Sequence, residues 1–233
     1  MHIGVIGASG TIGSRIVSEA LGRGHQVTAF SRDASGIDER RERVAWKSVE
    51  VTDADGIAAV LPGLDVLISA FGPGNAAVDA ADAAARAIAD PGVYVRAATA
   101  LLTALRSRPR TRLIVVGGAA SLEAEPGLAF VDSDALLNAA IDGFGLPREY
   151  AAVMRGHRDA MNLFRTSDRL WTYFCPAIEI QAGERTGRFR IGGDQPVMDA
   201  EGRSRISVED AAVALVDEVE LPRFVQRRFT VGY

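Results

Sequence analysis

The residues whose types and spacing most clearly carry chemistry are three glycines, Gly7, Gly10 and Gly13, in the run Gly7-Ala8-Ser9-Gly10-Thr11-Ile12-Gly13. Glycine at these places lets the backbone turn sharply and lets a diphosphate approach without a Cβ in the way. The amides from Ser9 to Ile12, with the helix that follows, then offer partial positive charge to an anion. The same spacing also describes a tight strand–helix turn with no ligand. The apolar strand before it and the helical periodicity after it favour a nucleotide. The candidate cofactor-binding set therefore starts with Gly7, Ser9, Gly10, Thr11, Ile12 and Gly13.

Where an NAD-preferring turn places an acidic residue, after the second strand, the chain reads Phe30-Ser31-Arg32-Asp33. The planar cation of Arg32 suits a 2′-phosphate, and Ser31 adds a hydroxyl donor. Asp33 could instead neutralise Arg32 or face the ribose, and Arg32 could be a solvated loop charge. The balance favours NADP(H) over NAD(H). Asp53 follows the third strand, where a carboxylate can accept from an adenine amino group or cap a helix; both can hold at once. Ala70, Phe71 and Gly72 would line the cofactor's middle, and Gly117 and Pro176, at the ends of later strands, complete the set.

Catalytic groups are scarce. Among the 26 basic residues Lys47 is the single lysine, so a Tyr-x-x-x-Lys dyad would have to use it. Four residues beyond Tyr94, Tyr150 and Tyr173 stand Ala98, Met154 and Ala177, and Tyr233 is the last residue, so that dyad is absent. Carbonyl reduction through a lysine-acidified tyrosine is thereby disfavoured. Hydride transfer to a flavin is not, because the conjugated ring is its own electron sink and its proton can come from water. Two candidates remain for a catalytic role. Ser121, just past the fifth strand, could bond the acceptor or cap a turn. His157, in the helix that would carry the missing lysine, could bond the nicotinamide ribose, shuttle a proton, or simply be a half-buried helix histidine. Arg185, Arg188 and Arg190 could meet a substrate phosphate, but a solvated hairpin face is slightly favoured. There is no Gly-x-Ser-x-Gly elbow and no Gly-Lys pair for a P-loop. Cys175, in an apolar strand, reads as packing.

The elements that must position these groups alternate. His2–Ile6 is an apolar strand, 14–21 has helical spacing ended by Gly22 and Gly24, and 26–30 is a second strand. Strands at 44–49, 64–70 and 112–116 follow, with a short helix after Asp53 and an alanine-rich helical stretch over 76–105 broken at Asp90-Pro91-Gly92. Such alternation predicts an α/β fold: a Rossmann-type doubly wound parallel sheet. Residues 121–147 read as a loop with short helical pieces, 148–165 as a helix and 170–175 as a strand stopped by Pro176. Residues 183–193 read as a hairpin or irregular β segment. Ser207 caps a helix through Asp210, and 228–233 is the last strand. No linker or repeat is visible, so 1–233 is expected to be one NAD(P)-binding domain with a small C-terminal substrate-side elaboration, mainly within 121–205.

Composition agrees. The 233 residues are 48% hydrophobic and 24% charged, which is ordinary globular composition, and the net charge of −4 argues against nucleic-acid or membrane-surface binding. One cysteine and three scattered histidines exclude an intrachain disulfide and disfavour a metal site. No signal peptide or spanning segment is visible, so a cytoplasmic protein is expected, acting on a small-molecule acceptor as a monomer or weak homodimer.

Gly7–Gly13, VVGGAASL at 115–122, QAGERTG at 181–187, GGDQ at 192–195, SRISVEDAAVALVDEVE at 204–220 and RRFTVGY at 227–233 resemble the NADH-flavin reductase-like family. That family belongs to the atypical short-chain dehydrogenases and is related to biliverdin reductase B and the NmrA-like proteins. The resemblance runs through the whole chain in order, and its GERTG and ISVEDAAVAL blocks are far more specific than the glycine motif. It implies an NAD(P)H-dependent oxidoreductase that passes hydride to a flavin or quinone-like acceptor. The alternative is a non-catalytic NmrA-like protein that senses dinucleotide. Gln181 and Ala182 depart from the family's pattern before GERTG, and Val78 to Ile88 is unusually rich in alanine.

Overall fold

The structure is a computed structural model that describes residues 1–34, 44–73, 77 and 79–233. Its centre is an eight-stranded sheet. Strands β1 (His2–Ile6), β2 (Gln26–Ser31), β3 (Val44–Ser48), β4 (Val66–Ser69), β5 (Arg112–Val116), β8 (Trp171–Phe174), β10 (Arg190–Gly192) and β12 (Arg227–Gly232) lie in the order β10-β12-β8-β5-β4-β1-β2-β3. All pair in parallel except β10, which runs antiparallel to β12 along one edge.

The parallel strands are apolar on both faces because helices cover both. Successive side chains alternate across the sheet. Val5, Ala29, Ile68, Val116 and Phe174 face one layer, where helices α1 (Thr11–Gly22) and α7 (Val208–Glu220) pack together. Phe30, Leu67, Leu113 and Tyr173 face the other, made by α2 (Ala54–Val60), α4 (Val93–Ala104) and α6 (Tyr150–Arg165). The helical stretch expected from residue 76 is α3 (Ala80–Ala89) and α4, separated by 90–92 as the Asp-Pro-Gly break requires; residues 76 and 78 lie outside the described residues.

One expectation is corrected and one open alternative is decided. Residues 121–147 hold more than short pieces: β6 (Glu123–Glu125) and β7 (Leu128–Ala129) form a hairpin, and α5 (Asp134–Gly143) is ten residues long. Ser133 caps α5 through the Leu136 amide, and Leu137 and Ile141, four apart, bury its inner face. Of the two readings of 183–193, the irregular β segment holds and the hairpin does not. Only the end of that segment is a strand, and it pairs with the distant β12, while β9 (Glu179–Gln181) pairs in parallel with β11 (Arg205–Ser207). No helix among the described residues is long and apolar enough to cross a membrane.

Candidate functional site

The carboxyl ends of β1, β2 and β4 meet at the glycine turn, where an open α/β sheet binds its ligands. Gly7 has φ +76°, the left-handed region that favours glycine, and a Cβ there would sit 2.5 Å from the Ala70 carbonyl oxygen. A Cβ on Gly13 would sit 2.1 Å from the Gly7 carbonyl oxygen, so the helix lies too close on its own turn for any side chain. The Gly7 and Ala8 amides donate to the Phe30 carbonyl, and the Gly10 amide donates back to Gly7 at 3.0 Å. These bonds fix the turn without using the first amides of α1, which have no intrahelical acceptor. Gly10 is the N-cap and brings no capping side chain, and no acidic residue lies in the first turn. α4 and α6 likewise lack a side-chain cap, whereas α2, α3, α5 and α7 are each capped by a side chain of the preceding residue, so what sets α1 apart is the cavity beside its start.

A cavity of about 420 Å³ opens beside this turn. Gly7 and Ser9, after β1, line it between Phe71 and Gly72, after β4, and Ser31, Arg32 and Asp33, at the end of β2. The sequence reading missed the apolar floor supplied by Ile6, Val49 and Val51. A signal was present in the valines that continue past β3, and the bond from the Val49 amide to the Ser31 carbonyl carries that segment along β2. Asp53 caps α2, its carboxylate accepting from the Asp55 amide at 3.1 Å. Ala70 closes the turn from below, its carbonyl against Gly7. Thus the structure gathers Gly7, Ser9, Arg32, Phe71 and Gly72 on one cavity, whereas Gly117 and Pro176 lie further along the sheet at the ends of β5 and β8. Gly117 also has a packing reason to be glycine: a Cβ would fall 1.9 Å from the Tyr173 ring.

Beyond Phe71 lies the other candidate region. The His157 ring lies tilted against Tyr94, ring centroids 3.8 Å apart and planes 37° from parallel, and packs against Gly118, where a side chain larger than glycine would not fit without movement. Desolvation lowers its pKa to about 4, so the imidazole is neutral at neutral pH. Ser121 lies at the far end of the same turn, its amide donating to the Gly118 carbonyl, but it is fully buried and its hydroxyl has no partner among the described residues. Burial raises the hydroxyl pKa values of Tyr94, Tyr150 and Tyr173, the opposite of what a lysine-assisted tyrosine needs. Burial likewise pushes the Cys175 thiol up to about 12, as a packing cysteine requires.

Two of the three arginines proposed for a substrate phosphate turn elsewhere. Arg185 pairs with Glu19 at 2.7 Å, and Arg190 donates to the Met198 and Tyr233 carbonyls. Their partners belong to α1 and to the chain's own backbone.

Comparison with known proteins gives the same picture. The NAD(P)H-binding family profile matches residues 7–219. The uncharacterized protein YwnB of Bacillus subtilis is 36% identical over 236 residues, covering 99% of this chain and 98% of YwnB. A candidate exported protein from Burkholderia pseudomallei superposes with a TM-score of 0.80 at 40% identity, over 100% of both chains. A candidate NADH-flavin reductase from Streptococcus pneumoniae superposes with a TM-score of 0.76 at 28% identity, over 100% of this chain and 99% of that one.

Proposed function

Because this chain belongs to the NAD(P)H-binding family, within the atypical short-chain dehydrogenases, we propose that it is an NAD(P)H-dependent reductase whose acceptor is a flavin or a similar conjugated ring such as a quinone. The observation that carries this reading is the N-terminus of α1, free of a capping side chain, beside an open cavity, with glycines that hold the turn tight against β4 and the helix. The residues fit a dinucleotide: Gly7–Gly13 would hold its diphosphate, Phe71 and Gly72 its middle, and Arg32 and Ser31 a 2′-phosphate, which favours NADP(H). When bound, the dinucleotide supplies two electrons and a hydrogen as hydride, and water supplies the proton that completes acceptor reduction. The chain's own part is to align donor and acceptor, a proximity contribution that needs no lysine-acidified tyrosine. His157, held neutral, would act as a hydrogen-bonding group and an aromatic wall rather than as an acid.

In this reading residues 1–233 act as one domain, a monomer or weak homodimer whose partner is a small-molecule acceptor. The burial of Ser121 favours a second reading, an NmrA-like protein that binds dinucleotide without turnover. One assay separates the two: NADPH oxidation with FMN or a quinone, measured against a blank without protein. Turnover above the blank supports the reductase. Tight nucleotide binding by calorimetry with no turnover across the acceptor panel supports the sensor.

A further inference from the structure

Arg228 lies on β12, and its side chain is only 3% exposed. A buried guanidinium is costly unless acceptors satisfy it. Its acceptors come from two segments far apart in the sequence. It donates to the Ser121 carbonyl and the Glu123 carboxylate, which follow β5, and to the Asp194 carboxylate at 2.6 Å, in the turn after β10. The Glu123 amide also donates to the Asp194 carbonyl at 2.8 Å, so the two segments are joined side by side. Arg228 stands opposite Tyr173 in the β12–β8 register, and the Tyr173 ring lies against Gly117 at the start of the 117–121 turn. That turn leaves the sheet one strand beyond the wall formed by Phe71 and Gly72, and α6 packs on it.

We propose that Arg228 is a positioning residue for the acceptor end of the cleft. It holds the 117–121 turn and the 192–195 turn in one arrangement, while the dinucleotide phosphates are held independently at Gly7–Gly13. This rests on the reductase reading, because only an acceptor gives that end a function. The guanidinium geometry matters as well as the charge, since three acceptors are met by separate nitrogens of one planar group.

The test compares wild type with Arg228→Met, Arg228→Lys and Asp194→Asn, using FMN and a quinone as acceptors. Arg228→Met is expected to lower kcat/KM for the acceptor by roughly 10–100-fold, the cost of misplacing reacting groups. Its dissociation constant for NADPH should stay within about twofold of wild type, because no bond to the glycine turn is lost. Arg228→Lys should recover part of the loss. If Arg228→Met does not fold, Asp194→Asn, at an exposed partner, should give a smaller loss of the same kind. Amide hydrogen exchange at Leu122 and Glu123 should speed up in the variants while that at Gly10 and Ser14 does not. Unchanged acceptor kinetics, or an equal loss for NADPH and acceptor, overturns the proposal. Should wild type reduce no acceptor, the reductase reading falls by itself. The exchange pattern then decides whether Arg228 holds these turns, and uniform exchange across both regions refutes it.

Discussion

Helices α1 and α7 lie side by side and begin at the same end of the sheet, yet their N-termini are treated in opposite ways. At α7 the chain answers its own donors. Ser207 accepts from the Asp210 amide, and the fully buried Asp210 carboxylate accepts from the Thr186 hydroxyl at 2.6 Å, the Gly187 amide at 2.8 Å and the Tyr233 hydroxyl at 3.0 Å. Glu209 takes the Gly183 amide and pairs with Arg15 of α1. The GERTG loop is thus strapped over α7, which explains that motif as architecture. At α1 glycine stands at the capping position and no acidic residue lies in the first turn. Two neighbouring helix ends share one backbone chemistry; the one left unanswered is where an outside anion fits.

Closing the open end should have the largest effect. Gly13→Val drives a side chain into the Gly7 carbonyl, and calorimetry should find NADPH and NADH binding both lost, with about 1–3 kcal/mol of stability. Opening the closed end should do the reverse. Asp210→Ala removes the buried acceptor that holds the Thr186 hydroxyl, the Gly187 amide and the Tyr233 hydroxyl, and water can reach the first two once it is gone, so denaturant unfolding should show a loss of about 1–2 kcal/mol, with NADPH affinity unchanged once the variant is folded. If nucleotide affinity fell with it, the two ends would not be separable. Arg32→Ala sharpens the contrast within the cavity: NADPH affinity should drop by about 1.5–3 kcal/mol and NADH affinity should hold. An equal effect on both cofactors removes the 2′-phosphate assignment.

The smallest effect concerns His157, which belongs to neither helix end. Its folded pKa of about 4 lies below the ordinary 6.5, so below pH 6.5 the unfolded chain takes up the proton first. Its neutral form therefore contributes fully above pH 6.5, and that contribution is lost as the pH falls toward 4. His157→Phe keeps a ring against Tyr94, and its urea midpoint should decline less between pH 6.5 and 4 than that of wild type. Parallel curves would mean that the imidazole is solvated.

The βαβ opening was legible because its causes are local. An apolar strand, a turn that needs φ above zero and a helix with apolar residues at 16, 17, 20 and 21 leave few alternatives. The Ser207–Asp210 cap was legible for the same reason, since its partners stand three residues apart. Helix α5 was obscured because Gly, Pro and Asp around it read as punctuation, while its inner face rests on only two strong apolar positions. For 190–192 the choice between a hairpin and an irregular segment stayed open because its strand partner lies some forty residues on, beyond the reach of any turn signal.

Residue types alone determined that three glycines stand where the first strand hands over to its helix and that no tyrosine is followed four residues on by a lysine, because both statements depend on spacing within a few positions. Tertiary structure alone decided where the charges went. Arg185 reaches Glu19 across 166 residues and Arg15 reaches Glu209 across 194, so neither pairing has a local signature. Burial behaved likewise: the Ser121 hydroxyl and the His157 imidazole owe their surroundings to helices and strands packed around them, and desolvation is a property of that packing.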